Sequence, residues 1–270
     1  MLITVFSPKG GSGTSTCAAL IAKSFSIHMN NPTTLIDAHN GDIESVIGID
    51  SESEYGFLQW IRSSSPSSNN LQKISNYIDA KLSFVNYSSN ISDGYNNALV
   101  AEDTQFEKVK NAFTNTDVNY VIDIGTNVNT LTTSLIESSD LVIMVMKECY
   151  VSLNRASAHP YVESADVAVV VKESGRSISS KQIGEVLKLR CFIEIEARRD
   201  FAKIIDAGVL LFRTPKNMIS ALNDFVIDVK NFTEGAPQRS GQDISRQKKT
   251  DIYDRTQNIS ARSLDIFDEA

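Results

Sequence analysis

Residues 7–16 read Ser7-Pro8-Lys9-Gly10-Gly11-Ser12-Gly13-Thr14-Ser15-Thr16. The apolar run from Met1 to Phe6 precedes them and reads as a strand, and Cys17-Ala18-Ala19-Leu20-Ile21-Ala22-Lys23-Ser24-Phe25 follows with helical periodicity. A strand, a glycine-rich turn and a helix in this order make a phosphate cradle. Glycines let backbone N–H groups converge on an anion, and the helix N-terminus adds partial positive charge. The standard loop is G-x-x-x-x-G-K-[ST], in which the lysine reaches the β- and γ-phosphates and the hydroxyl binds Mg²⁺. Here Thr14 stands at the lysine position, Ser15 supplies the hydroxyl, and a different lysine, Lys9, opens the loop. The expected phosphate-contacting set is therefore Lys9, Gly10, Gly11, Ser12, Gly13, Thr14, Ser15 and Thr16, with Ser15 facing the metal.

The loop resembles that of the deviant Walker A ATPases of the ParA/MinD family, which reads K-G-G-x-G-K-[ST]. Lys9 matches the family's signature lysine, which reaches across a dimer to the partner's nucleotide. Thr14 departs from the family pattern. The variant K-G-G-x-G-T-[ST]-T is similar to the CpaE/TadZ branch, the pilus-assembly localisation proteins.

Carboxylates are needed around the metal and the attacking water, and two stand at the carboxyl ends of expected strands, where open α/β sheets bind ligands. One is Asp37, in Leu35-Ile36-Asp37-Ala38-His39-Asn40-Gly41-Asp42. It resembles the first Asp of the family's D-x-D switch, which positions the attacking water, so the resemblance implies catalytic roles for Asp37 and Lys9. His39 replaces the second Asp, and Asp42 is a candidate substitute. The other is Asp123, in Tyr120-Val121-Ile122-Asp123-Ile124-Gly125-Thr126. It resembles the Walker B Asp, implying that Asp123 holds Mg²⁺ through water. The resemblance spans residues 1–231, continuing through Ser138-Ser139-Asp140-Leu141-Val142-Ile143-Met144-Val145-Met146 and Asp206-Ala207-Gly208. Where the family has an Asn-Arg pair whose Asn reads adenine, this chain has Val171-Lys172, and Lys172 reads as a solvated lysine. The implied cofactors are ATP and Mg²⁺.

Apolar runs at 2–6, 34–36, 82–86, 120–124, 141–146, 167–171 and 192–195 are short, continuous and β-branched, as in strands buried on both faces of a parallel sheet. Helical stretches fall at 15–28, 55–63, 105–115, 129–137, 151–159, 180–188, 202–207 and 217–231. This alternation predicts an α/β fold with a doubly wound, mostly parallel sheet, a P-loop NTPase of the deviant Walker A class. The nucleotide-binding domain is expected over 1–232, with a disordered polar tail over 233–270. Segments 63–70 and 88–97 read as surface loops.

The 270 residues are 41% hydrophobic, enough for one α/β domain with a sizeable core. A net charge of −7 argues against broad attraction to DNA or anionic lipid. Cys17, Cys149 and Cys191 lack C-x-x-C spacing, so they read as reduced buried thiols rather than a zinc site or disulfide framework. No run approaches the roughly 18 apolar residues of a membrane span. The N-terminus shows no signal-peptide pattern. The expected setting is the cytoplasm, with recruitment to a pole or the inner membrane face by partners.

Taken together, the resemblance implies an ATP-dependent homodimeric switch or localisation factor that recruits secretion or pilus proteins. Loss of the loop lysine removes a charge-assisted hydrogen bond worth roughly 1.5–3 kcal/mol. Hydrolysis suffers more than binding, because charge develops on the transferring group in the transition state. Three alternatives stay open. One is a ParA-like partition ATPase using Arg198, Arg199, Lys203, Arg213 and Lys216 as a DNA-binding patch. Another is a MinD-like membrane-cycling protein, disfavoured because the tail ends acidic. The last is a scaffold whose loop binds no nucleotide.

Overall fold

Each apolar run expected to be a strand is one, with ends within a residue of the apolar stretch. The computed structural model describes residues 1–49, 55–87, 103–114, 116–189, 191–215 and 219–235. Its strands are β1 Leu2–Phe6, β2 Thr33–Asp37, β3 Asn76–Tyr77, β4 Leu82–Val85, β5 Asn119–Gly125, β6 Leu141–Lys147, β7 Val167–Lys172 and β8 Phe192–Glu196. They form one eight-stranded sheet in the order β3-β4-β2-β5-β1-β6-β7-β8. All pairings are parallel except β3 with β4. The helices are α1 Thr14–His28, α2 Ile43–Ile47, α3 Phe57–Arg62, α4 Ser68–Lys73, α5 Asp103–Phe113, α6 Thr130–Ser138, α7 Tyr150–Ser157, α8 Ser180–Leu187, α9 Arg199–Asp206, α10 Leu210–Arg213 and α11 Ser220–Gly235.

The continuous apolar strands are explained by two cores, one on each face of the sheet. Ile3, Val5, Val121, Ile143, Val145 and Val169 point to the layer that holds α1 and α11, where Leu20, Phe25, Leu222 and Phe225 are fully covered. Their neighbours Leu2, Phe6, Tyr120, Ile122, Val142, Met144 and Val170 point to the opposite layer, against Phe57, Trp60, Phe113 and Leu135. Alternation of side chains across a strand makes both faces apolar at once. The fold is thus the doubly wound α/β architecture that the sequence predicts.

Local signals set several helix ends. Asn129 and Thr132 cap α6 reciprocally, and Ser179 and Gln182 do the same for α8. One expectation is corrected. Segment 63–70, read as a surface loop, contains the start of α4. The Ser67 hydroxyl accepts the Asn70 N–H, Leu71 is buried, and the Trp60 indole donates to the Ser67 carbonyl. A Ser/Asn-rich run serves a helix cap as well as a loop. Segment 88–97 lies outside the described residues, as does the tail beyond 235. Helix α11 continues to Gly235, a short way into the segment assigned to the tail.

The three cysteines differ in access. Cys17 and Cys191 are buried, and Cys149 is half-buried. Burial, joined by the nearby Asp123 charge, pushes the Cys17 thiol up to about 12. Burial also works to raise Cys149, but hydrogen bonds from Ser152 and the charges of Arg176 and Lys9 bring it below the usual thiol value. A thiol reagent should therefore modify native protein at Cys149 first, and Cys17 and Cys191 only in denaturant, as read by mass spectrometry. Native-state labelling of Cys17 would contradict this packing.

Candidate nucleotide site

Strand register brings the site together at the carboxyl edge of the sheet. Asp37 and Asp123 are direct partners at the ends of β2 and β5. Val5 pairs with Asp123 and Phe6 with Gly125, across an irregularity in the β1–β5 ladder. The Ser7 N–H donates to the Gly125 carbonyl at 2.8 Å, which ties the glycine loop to the end of β5.

The loop is shaped by its own hydroxyls. Ser7 Oγ donates to the Lys9 carbonyl at 2.8 Å and Ser12 Oγ donates to it at 2.7 Å, while the Lys9 N–H donates to Ser7 Oγ at 3.2 Å. Gly11 and Gly13 take left-handed backbone angles, φ +72° and +89°, which favour glycine. A Cβ at Gly10, Gly11 or Gly13 would meet nothing within 4 Å, so the cradle faces open space. The first α1 bond runs from the Cys17 N–H to the Gly13 carbonyl at 2.9 Å. The N–H groups of Thr14, Ser15 and Thr16 thus precede the helical ladder, as an anion site at a helix start requires. No acidic residue lies in that first turn. Thr14 is buried, and Lys9 folds back so that its Nζ donates to the Gly10 carbonyl at 3.0 Å.

The two carboxylates are occupied in different ways. Asp37 Oδ1 accepts the N–H groups of His39 and Gly41, each at 3.0 Å, and so closes the turn after β2. Burial raises the Asp37 pKa above the ordinary carboxylate value, against the opposing effect of His39 and the two backbone donors. Asp123 is fully buried, and its Oδ1 accepts the Gly125 N–H at 2.9 Å. Its other oxygen, Oδ2, lies 3.1 Å from His39 Nε2. This is a close contact off the hydrogen-bond axis, since neither atom meets hydrogen-bond geometry. Burial works to lower the His39 pKa, but Asp123 at contact and the charges of Asp37 and Asp42 outweigh it and raise the value.

His39 packs over two glycines. A Cβ on Gly125 would lie 2.6 Å from its Nδ1, and one on Gly41 would lie 2.6 Å from its Nε2 and 2.9 Å from Ser15 Oγ. The Ser15 hydroxyl and the imidazole therefore flank one point beside Gly41. An Mg²⁺ ion held by Ser15 and, through water, by Asp123 would need the Asp123 oxygen that the imidazole faces. With the ring in this place the residues do not fit the ion. Among the described residues, no group of three or more His, Cys, Asp and Glu side chains is arranged to hold a metal.

Lys9, Gly10 to Thr16, Asp37 and Asp123 thus sit at one edge of the sheet, as their sequence positions imply. Asp42, the candidate replacement for the missing second Asp, is exposed at the start of α2, and the side chain that meets Asp123 is His39. Lys172 pairs with Glu194 at 3.1 Å rather than standing free. The basic set is partly neutralised: Arg198 pairs with Glu196 at 2.6 Å and Lys203 with Asp200 at 3.7 Å. Lys216 lies outside the described residues. Among the described residues no helix is long and apolar enough to cross a membrane.

The packing of His39 on Gly125 is testable by a double-mutant cycle. At φ +59° a Cβ on residue 125 carries backbone strain of roughly 1–2 kcal/mol. Crowding against the ring adds about 1–3 kcal/mol. Gly125→Ala should therefore cost clearly more in wild type than in a His39→Ala background, where only the backbone part survives. Urea unfolding followed by the fluorescence of the single tryptophan, Trp60, measures both; equal costs would refute the contact.

No family model and no curated protein matches the sequence. Solved structures do match the fold. A ParA family ATPase from Chlorobium tepidum superposes with a TM-score of 0.65 at 19% identity, covering 83% of this chain and 97% of that one. A plasmid partition protein from Borrelia burgdorferi bound to AMPPNP gives 0.62 at 20% identity, covering 85% and 98%. The septum site-determining protein MinD of Pyrococcus horikoshii, complexed with Mg-ADP, gives 0.65 at 13% identity, covering 86% and 96%. At these identities the likeness is one of architecture: the chain has the fold seen in ParA and MinD ATPases.

Proposed function

We propose that this protein is a nucleotide-dependent dimeric switch of the ParA/MinD kind, nearest in motif to the CpaE/TadZ localisation factors, that binds ATP and turns it over slowly or not at all. One observation carries this reading. A left-handed glycine cradle, open in front, feeds the start of α1, and a buried threonine stands where the phosphate-reaching lysine belongs. The N–H groups at the head of α1 supply the anion site, and Lys9, Gly10, Gly11, Ser12, Gly13, Thr14, Ser15 and Thr16 are its lining. Nucleotides bound to solved proteins of this fold support the choice of ligand.

Lys9 is assigned the trans role. In the single chain its ammonium group rests on its own loop's carbonyl, an exposed and weak contact that a partner's phosphate would readily replace. Asp37 is the candidate for orienting water, though its bonds to His39 and Gly41 already give it a structural task. The metal part of the resemblance, Mg²⁺ on Ser15 and water-linked Asp123, meets the His39 imidazole in this chain. Partners are proposed to be proteins of a secretion, pilus or positioning system that recruit the switch to a pole or the inner membrane face. The DNA-partition reading is weaker, because Arg198 and Lys203 are paired with acids and the net charge is −7.

ATP at about a hundred times its Kd should stabilise the fold by about 2.7 kcal/mol, seen as a raised melting temperature. The same ligand should shift the chain from monomer to dimer in sedimentation. Lys9→Ala should abolish the dimer while leaving the monomer able to bind. Failure of millimolar ATP to move either readout would favour a scaffold that binds no nucleotide. Thr14→Lys should tighten ATP by roughly ten- to a hundredfold, the worth of one charge-assisted hydrogen bond, measured by titration calorimetry. A steady-state ATPase rate in wild type equal to that of Thr14→Lys would contradict the assignment of slow turnover to Thr14.

A further inference from the structure

We propose that His39 replaces the divalent cation at this site, so that the polyphosphate of a nucleoside triphosphate binds as the metal-free anion. The inference rests on the nucleotide-binding reading above and adds to it the form in which the ligand is taken.

A metal between a P-loop hydroxyl and a strand-end aspartate does two jobs. It bridges the hydroxyl to the phosphates, and it covers a carboxylate that would otherwise repel them. In this chain His39 stands where that covering is needed. His39 Nε2 sits 3.1 Å from Asp123 Oδ2, and the carboxyl is fully buried behind it. The other Asp123 oxygen is held by the Gly125 N–H. Oδ1 thus has a donor and Oδ2 has the imidazole beside it.

The ring is held in a fitted position. Gly41 and Gly125, from different strand ends, make room for it, since a Cβ on either would come within 2.6 Å of the imidazole. Asp37 Oδ1 clamps the N–H groups of His39 and Gly41, and Asn40 between them takes a left-handed φ of 60°. The turn is therefore tied at both sides of the residue that carries the ring. Ser15 Oγ and the imidazole both lie within 3 Å of the same point beside Gly41, and the imidazole in turn meets Asp123. The sequence change and the packing agree. An aspartate at position 39 would set a third carboxylate beside Asp37 and Asp123 and call for a cation, whereas histidine sets an imidazole edge there.

ATP affinity of the full chain, measured by calorimetry in millimolar Mg²⁺ and in excess EDTA, tests this. Wild type should change by less than about threefold between the two conditions. His39→Asp should lose at least about tenfold in EDTA and recover in Mg²⁺. Cooperative unfolding followed by Trp60 fluorescence reports that this variant is folded; the wild-type comparison stands whether it folds or not. Wild-type binding that falls tenfold or more in EDTA overturns the replacement of the metal and leaves the nucleotide reading intact. Folded His39→Asp that behaves like wild type in EDTA also overturns it. Absence of ATP binding by wild type in both conditions overturns this inference together with the reading beneath it.

Discussion

Two buried carboxylates end adjacent parallel strands in register, and the rest of the site is organised around that repulsion. Asp37 and Asp123 are direct partners in the β2–β5 ladder, both essentially without solvent. Carboxylates removed from water need donors or a cation, because burial and a like-charged neighbour both oppose ionisation. Asp37 receives two backbone N–H groups and Asp123 receives one, plus an imidazole. The turn after β2, the glycines at 41 and 125, and the placing of His39 are the structural answers to one electrostatic demand.

The sheet makes that demand unavoidable. β5 lies between β1 and β2 at the centre, with apolar side chains packed on both faces. The strands cannot slide to separate the two acids without turning their apolar residues out of register. The same rigidity helps the loop. Ser7 is bonded to the Gly125 carbonyl, which ties the cradle to the end of the Asp123 strand, and Gly125 in turn packs against His39.

Much of this was legible in the sequence, and the parts that were not have physical reasons. Buried parallel strands announce themselves as β-branched runs, so β1, β2 and β4 to β8 were found within a residue. β3 pairs through only two residues, Asn76 and Tyr77, neither of them buried, so it carried no apolar signal. Helix α4 hid in a serine-rich run because the chemistry that caps a helix also fills loops. At the site, the loop and both strand-end acids were visible as motifs. His39 was visible only as a missing aspartate. Its contact with Asp123 depends on two glycines far apart in the chain, and no local pattern encodes that meeting. Lys172 reads as a solvated surface lysine and is partly exposed, and what the sequence did not show is the β7–β8 pairing that sets it beside Glu194.

The two departures from the usual loop and switch, Thr14 and His39, belong together physically. A lysine at 14 and a metal at Ser15 each stabilise negative charge on the transferring phosphoryl group, and a fixed imidazole committed to Asp123 does so less well for either. On the proposed reading, losing both would shift the balance away from transition-state stabilisation, while the backbone N–H groups at the head of α1 would still hold a ground-state anion. Lys9 remains outside that balance, with its ammonium group resting on the Gly10 carbonyl. Under the proposed reading, such a site would keep the anion contacts that nucleotide-gated association needs and lack two groups that turnover needs, so that a partner rather than hydrolysis would have to release the ligand.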